Sequence, residues 1–221
     1  SYSSHNLTMI PFYLFYSMFG FQRIHDLAWA AGDAQAKGFL IGATSGRTTL
    51  NGEGLQHQDG HSHILSSTIP NCKSYDPAYG YELAVIIDHG LKEMYKDKKN
   101  YFYYLTVTNE RYIQPSKPKN KDTDKNIIKG MHRVIKSKKP NIRLLGSGAI
   151  LNESIKAAEI LKNYKIDSEV WSVTSFNMLR KDGMETENTN IKNLSKPKKS
   201  FVETSFLEND IPTISSTDYM R

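Results

Sequence analysis

Three histidines and two acidic residues lie close together in residues 51–63, which read NGEGLQHQDGHSH. His57, His61 and His63 have the spacing H-x3-H-x-H, and imidazole nitrogens are common zinc ligands. The glycines of this stretch, however, argue against a rigid helix that would place His57 and His61 on one face. The spacing also matches no established zinc motif, so the sequence disfavours a metal site here.

Two interpretations of residues 51–63 remain open from the residue types alone. The stretch could be a polar loop whose histidines are hydrogen-bonded to the backbone. It could also be an acid–base site containing Glu53, because glycine permits a close approach to a ligand and histidine titrates near neutral pH. Composition does not decide between a loop and an acid–base site.

Other reactive residue types are weaker candidates. The run Gly146-Ser147-Gly148 resembles a phosphate-binding turn, but any tight connection from a strand to a helix favours glycine. The single cysteine, Cys72, excludes an internal disulfide, fits a reducing compartment and has no evident partner as a nucleophile. Arg23 and Asp26 have the spacing of an ordinary helical ion pair.

Composition indicates a globular protein without a membrane segment. Hydrophobic residues make up 38% of the 221 residues, which is enough for a packed core. The net charge of +6 comes from lysine clusters with few arginines or aromatic residues, which favours solvated surface over a nucleic-acid site. The uncharged run Met9–Phe21 is too short to span a membrane and lacks the basic start of a secretory signal.

The elements that position these residues are predicted to alternate between helices and strands. We expect a buried helix from Pro11 to about Lys37, because Phe12, Phe15, Tyr16 and Phe19 have helical spacing. The next elements expected are a strand at 38–44, a helix at 77–94 and a strand at 101–108.

Residues 114–126 (QPSKPKNKDTDKN) combine two prolines with several lysines and no large apolar side chain, which predicts a linker. After it we expect a strand at 142–145, a helix capped by Asn152 and reaching about Tyr164, and a strand at 169–173. Residues 181–200 are polar and are predicted to form a surface segment. The alternation predicts an α/β fold with mostly parallel strands.

Two long runs carry a family resemblance: residues 9–24 (MIPFYLFYSMFGFQRI) and 39–63 (FLIGATSGRTTLNGEGLQHQDGHSH). Both resemble the homodimeric bacterial pyruvate dehydrogenase, in its decarboxylating component. Shorter similar runs lie at 69–72, 75–79, 144–148, 172–176 and 216–220. The resemblance therefore covers nearly the whole chain, and divergence is concentrated in the lysine-rich linker and around 181–210.

The resemblance implies a thiamine-diphosphate enzyme with three α/β domains, of which this chain would be a segment. Residues 1–117 would be the latter part of a transketolase-like pyrimidine-binding domain, 118–126 a linker, and 127–221 the start of a transketolase C-terminal-like domain. The family binds the diphosphate through magnesium with a GDG motif, and no GDG occurs in this sequence. The magnesium and diphosphate ligands are therefore expected outside this segment, as is the glutamate that protonates the aminopyrimidine.

Four residues receive roles from the resemblance. Phe19 matches the family aromatic that stacks on the aminopyrimidine, whereas its sequence pattern alone favours plain core packing. Tyr16 matches a tyrosine near the bound intermediate. Glu53 and His57 match an acid and a histidine on the substrate side of the cofactor, which favours the acid–base interpretation of residues 51–63.

The implied activity is decarboxylation of pyruvate and reductive acetylation of a lipoyl group on the dihydrolipoyl acetyltransferase partner. The resemblance further implies a cytoplasmic homodimer without nucleic-acid or membrane partners. We expect His57 to handle protons and Glu53 to tune it, with His61 and His63 in structural roles. The alternative is a non-catalytic fragment or remnant of the same fold that serves only in subunit association.

Overall fold

A computed structural model describes residues 7–50, 52–207 and 210–220. The chain divides into two compact units, one comprising residues 1–74, 87–109 and 219–221, and the other 75–86 and 110–218. Among the described residues, each unit contains a four-stranded sheet and several helices. In the described part of the chain, no helix is both long and apolar enough to cross a membrane.

The first unit is built on the strands β1 (Phe12–Phe15), β2 (Phe39–Ala43), β3 (Cys72–Tyr75) and β4 (Phe102–Val107). They lie in the order β1-β2-β4-β3, and β2 is parallel to both β1 and β4. The helices that connect them are α1 (Gly20–Asp33), α2 (Ser62–Ser67) and α3 (Gly80–Leu91). The residues of α3 are divided between the two units.

The core of the first unit lies where α1 packs on the sheet. Phe21 and Ala28 of α1 are buried together with Phe102 and Tyr104 of β4. The rings of Phe21 and Tyr104 meet edge to face, with their centroids 4.7 Å apart. Burying such aromatic side chains stabilises the fold by about 2 kcal/mol each, which fixes α1 against β4.

The predicted helix from Pro11 to about Lys37 is wrong in its first third. Phe12–Phe15 is a strand, and α1 begins only at Gly20. Residues 12–15 (FYLF) are apolar at every position, so helical spacing within them could not distinguish a helix from a strand. Aromatic residues favour strands, and β1 is held by parallel pairing with β2.

The second unit is built on the strands β5 (His132–Ile135), β6 (Ile142–Gly146), β7 (Ser168–Ser172) and β8 (Thr213–Ser216). Their order is β5-β7-β6-β8, with β6 parallel to β7 and β8, and β5 antiparallel to β7. Its further helices are α4 (Thr123–Lys129), α5 (Ile150–Asn163), α6 (Phe176–Lys192) and α7 (Phe201–Phe206).

A buried carboxylate ties the start of α3 to the sheet of the second unit. Glu82 is fully buried and accepts hydrogen bonds from the backbone amides of Ala78 and Tyr79, at 2.7 and 3.1 Å. Its other carboxylate oxygen lies 2.6 Å from both His132 Nε2 and Ser172 Oγ. These contacts satisfy a charge that would otherwise be costly to bury.

The predicted strands at 38–44, 101–108, 142–145 and 169–173 and the predicted helix at 77–94 are confirmed to within a few residues. Asn152 does not cap α5, which begins at Ile150. The predicted linker ends early, because α4 starts at Thr123. The predicted surface segment at 181–200 is confirmed, because none of residues 181–199 is buried. Its first part is helical, which the sequence did not predict: α6 runs to Lys192 and is capped by Ser175, whose side chain accepts from Met178 N.

Candidate functional site

The first part of the candidate site is the turn that connects β1 to α1. Tyr16 follows β1 directly, and Ser17–Phe19 forms a single 3-10 turn before the helix. Ser17 is buried, and its hydroxyl donates to the carbonyl of Thr44, just beyond β2, at 2.9 Å. Because β1 and β2 are parallel, this bond holds the turn at the carboxyl edge of the sheet, where ligands of α/β proteins commonly bind.

Two glycines let this turn lie directly on the sheet. A Cβ atom on Gly42 would lie 2.6 Å from the Tyr104 hydroxyl and 2.8 Å from Ser17 Cβ. A Cβ atom on Gly20 would lie 1.8 Å from the ring of Phe15. Neither position has room for a side chain, so the glycines determine how close Tyr16 and Phe19 come to the strands.

The second part of the site is the turn that carries Glu53 and His57. Gly54 has φ +79°, a conformation that glycine adopts without strain, and Leu55–His57 forms a 3-10 turn after it. His57 Nδ1 lies 2.7 Å from the carbonyl oxygen of Glu53. Because a carbonyl can only accept, Nδ1 carries a proton, and Nε2 is the ring nitrogen left to face a ligand.

The two turns bring the four predicted site residues together. The Tyr16 hydroxyl donates a hydrogen bond to the Glu53 carboxylate, across 37 positions of sequence. The ring of His57 lies 5.0 Å from that of Tyr16 and 5.4 Å from that of Phe19, centroid to centroid. Tyr16 and Phe19 are themselves 5.5 Å apart. A hydroxyl, a carboxylate and an imidazole thus surround one half-buried aromatic ring.

The environment of Tyr16 keeps its hydroxyl protonated. Burial, together with the hydrogen bond to Glu53 and the negative charge of that carboxylate, raises the pKa of Tyr16 to about 12. Tyr16 is therefore a hydrogen-bond donor at every physiological pH, not a base. Glu53 is exposed and makes two contacts in the site. Its carboxylate orients the Tyr16 hydroxyl, and its backbone carbonyl orients the His57 ring.

Arg23 joins this group, although the sequence predicted a different partner for it. Its guanidinium carbon lies 4.3 Å from the centroid of the Phe19 ring. Among the ion pairs of the described residues, none joins Arg23 to Asp26 as the sequence predicted. The helix is kinked at Ile24 (φ −118°, ψ 16°), which breaks the regular i,i+3 geometry between the two residues.

The other two histidines of the stretch lie in different surroundings. His61 is exposed, and its backbone amide donates to the carboxylate of buried Asp59 at 3.0 Å. His63 Nε2 lies 2.8 Å from Thr106 Oγ1, and burial lowers the pKa of His63 to about 4, against a smaller opposing effect of Asp59. Within residues 7–50, 52–207 and 210–220, no three His, Cys, Asp or Glu side chains form a metal-binding group.

The glycine turn at 146–148 in the second unit is already filled by a carboxylate. The backbone amide of Gly148 donates to the carbonyl of Asp76 at 3.1 Å. Both carboxylate oxygens of Asp76 lie within 2.8 Å of the point where a Cβ on Gly148 would be. An anion that repels phosphate occupies this position, so the turn does not suit a phosphate group.

Comparison with solved structures shows the fold. A transketolase variant from Pichia stipitis superposes with a TM-score of 0.70 at 15% identity, over 92% of this chain and 26% of that one. The transketolase of Leishmania mexicana superposes with a TM-score of 0.72 at 14% identity, over 96% of this chain and 28% of that one. At these identities the likeness establishes a transketolase-like α/β fold, as the sequence predicted.

Comparison with protein families and relatives shows more. Residues 1–115 match the family described as pyruvate dehydrogenase E1 component middle domain, and 130–221 match the transketolase-like C-terminal domain. The pyruvate dehydrogenase E1 components of Pseudomonas aeruginosa, Escherichia coli K12 and Cupriavidus necator are 57%, 55% and 49% identical to this chain. Each alignment covers 100% of this chain, which spans about a quarter of the length of these relatives. The chain therefore belongs to the bacterial pyruvate dehydrogenase E1 component family.

Proposed function

We propose that this chain is a segment of the decarboxylating component of pyruvate dehydrogenase, and that its two turns form part of the active site. The full-length protein would use thiamine diphosphate to decarboxylate pyruvate and reductively acetylate a lipoyl group. The observation that carries the proposal is the convergence of Tyr16, Phe19, Glu53 and His57 at the carboxyl edge of parallel strands.

The ring of Phe19 fits the flat aminopyrimidine of thiamine diphosphate. Phe19 is half-buried, so part of its ring surface can still contact a ligand. Aromatic rings attract one another in offset-stacked or edge-to-face arrangements at centroid distances of about 4.5–7 Å, and such pairs contribute about 0.5–1.5 kcal/mol beyond burial. When bound, the cofactor supplies an electron sink for the loss of carbon dioxide. We place its magnesium and diphosphate ligands outside this chain, because the sequence contains no GDG motif.

Tyr16 and Glu53 act as an orienting pair. Because the pKa of Tyr16 is raised to about 12, its hydroxyl stays protonated. Its single O–H is donated to Glu53, so toward the substrate the Tyr16 oxygen is left to accept a hydrogen bond from a hydroxyl. The Glu53 carboxylate fixes the direction of that hydroxyl before the substrate arrives. Because the Tyr16 hydroxyl is already oriented, it need not reorganise during the reaction, and this lowers the activation barrier.

His57 is the proton-handling group. Its Nδ1–H is held by the carbonyl of Glu53, which leaves Nε2 to accept a proton from, or return one to, the substrate side. A side chain of this type suits a reaction in which protons move at several steps near neutral pH. The half-buried ring also touches both Tyr16 and Phe19, which places it beside the proposed cofactor ring.

The partners follow from the same proposal. We infer that the full-length protein acts on pyruvate, passes the acetyl group to a lipoyl-bearing dihydrolipoyl acetyltransferase, and works as a homodimer in the cytoplasm. The domain boundaries expected at 117 and 127 belong to this proposal too. The sequence relatives support it, since all those named above are pyruvate dehydrogenase E1 components.

The test uses the full-length protein and pyruvate turnover with an artificial electron acceptor, so that no partner protein is needed. His57→Ala should slow turnover strongly while the unfolding temperature stays unchanged. The matched control is His61→Ala in the same stretch, whose exposed side chain is outside the site and whose loss should leave turnover intact. Equal turnover in the His57→Ala variant and the wild type would remove His57 from the mechanism and favour a non-catalytic role for this segment.

A further inference from the structure

Arg23 has a contact that its exposed position on α1 would not predict. Its guanidinium carbon lies over the Phe19 ring, 4.3 Å from the ring centroid and four residues on along the chain. In the described residues the ion pairs do not include Arg23, so no carboxylate holds this charge elsewhere. The kink at Ile24 turns the helix away from the regular geometry that would direct Arg23 along its own face.

We propose that Arg23 is a positioning residue for the cofactor, acting through Phe19. This inference rests on the proposed function, in which Phe19 stacks on the aminopyrimidine of thiamine diphosphate. Arg23 covers one face of the ring, so a flat heterocycle must take the opposite face. The arginine thereby selects the face and holds the plane of the ring before the ligand binds.

The Phe19 ring depends on a contact of this kind because few neighbouring side chains pack against it. It occupies the position just before α1 begins, and its ring is only half-buried. Its remaining ring contacts are His57, which meets it edge to face, and Tyr16, which is tilted against it by 41°. Neither arrangement fixes the ring by flat stacking. A planar guanidinium stacks on an aromatic face, which is why arginine is suited to this position.

The consequence for binding is a smaller ordering cost. A side chain that must be immobilised when a ligand arrives weakens binding, and a side chain already held does not. Loss of a cation–π contact at an exposed site corresponds to roughly a two- to fivefold change in an equilibrium constant. Arg23 could instead act only as a positive charge that attracts the diphosphate, and this simpler explanation makes different predictions.

The experiment is a double-mutant cycle on the full-length protein, with the dissociation constant of thiamine diphosphate measured by calorimetry in the presence of magnesium. Arg23→Met keeps an apolar stem over the ring and should raise the dissociation constant two- to fivefold. Arg23→Lys keeps the cation without the planar group and should give a smaller rise. In a Phe19→Leu background, Arg23→Met should have no further effect, because the ring it holds is gone.

The control is a second cation–π pair outside the site. Lys129 lies 4.7 Å from the centroid of the Phe201 ring in the second unit. Lys129→Met removes the same charge and the same type of contact, and should leave cofactor binding unchanged. Repeating the series at about 0.5 M salt separates the two explanations, because long-range attraction to the diphosphate is screened there while ring contacts persist.

The outcomes separate this inference from the proposed function. If Phe19→Leu weakens binding but Arg23→Met weakens it by the same factor with and without Phe19, the positioning role of Arg23 is overturned and Phe19 stands. Disappearance of the Arg23→Met effect at high salt would also overturn it, in favour of simple charge attraction. If Phe19→Leu leaves binding unchanged, the assignment of Phe19 itself fails, and the role of Arg23 fails with it.

Discussion

The hydrogen bond between Tyr16 and Glu53 gives the sharpest quantitative prediction. Hydrogen bonds to charged groups contribute about 1.5–3 kcal/mol. Glu53 is exposed, so water competes for its carboxylate and the lower end of this range applies. About 1.5 kcal/mol corresponds to roughly a tenfold change in rate or affinity. Tyr16→Phe removes the donor of this bond and Glu53→Ala removes its acceptor, so each should lower kcat/KM for pyruvate by at least this factor.

A double-mutant cycle shows whether the two residues act as one unit. The assay is kcat/KM for pyruvate in the full-length protein, for the wild type, both single variants and the double variant. If Tyr16 acts through its bond to Glu53, the second substitution should cost little once the first is made, which leaves a coupling of about tenfold. Fully additive effects, in which the double variant loses the product of both factors, would refute the pair as a functional unit.

Three further predictions concern the support of the site. His57→Asn keeps a side chain that can donate to Glu53, so the unfolding temperature should hold while turnover falls, and a normal rate would refute the proton-handling role. Gly42→Ala places a methyl group 2.6 Å from the Tyr104 hydroxyl and should lower the free energy of unfolding by about 1–3 kcal/mol, measured by urea denaturation. The pKa of His63 is lowered from 6.5 to about 4, so its neutral form stabilises the fold above pH 6.5. That contribution, at most about 3 kcal/mol, should disappear as pH falls from 6.5 to 4. In a His63→Gln variant the free energy of unfolding, measured by urea denaturation, should therefore fall less over the same pH range.

Much of the fold could be predicted from local patterns. β2 and β4 are short runs rich in aliphatic and aromatic residues, whose composition favours strands. In β1 the sequence FYLF suits either a helix or a strand, and the strand is fixed by its pairing with β2, about 27 positions away. The helical conformation of α6 was not predicted, because a helix with few apolar side chains shows no apolar stripe in its sequence.

The candidate site was less accessible to residue patterns alone. Residue types in 51–63 left a polar loop and an acid–base site equally open, and the roles of Tyr16, Phe19, Glu53 and His57 came from the family resemblance. Their convergence depends on a contact across 37 positions, which no local pattern encodes. The functional roles of these four residues stay predictions that the experiments above test.

Arg23 was missed because its spacing to Asp26 suggested an ordinary surface pair. The i,i+4 relation between Phe19 and Arg23 was equally visible in the sequence and could have indicated the ring contact. The structure shows the ring contact of Arg23, and the backbone of α1 is irregular at Ile24, between Arg23 and Asp26.

The most direct test of the account is an experimental structure of the full-length protein with thiamine diphosphate bound. We expect the aminopyrimidine to stack on the face of Phe19 opposite Arg23, with the Tyr16 hydroxyl, the Glu53 carboxylate and His57 Nε2 all facing the substrate side of the cofactor. An aminopyrimidine bound away from Phe19, or a site in which Glu53 and His57 lie on a different surface, would contradict it.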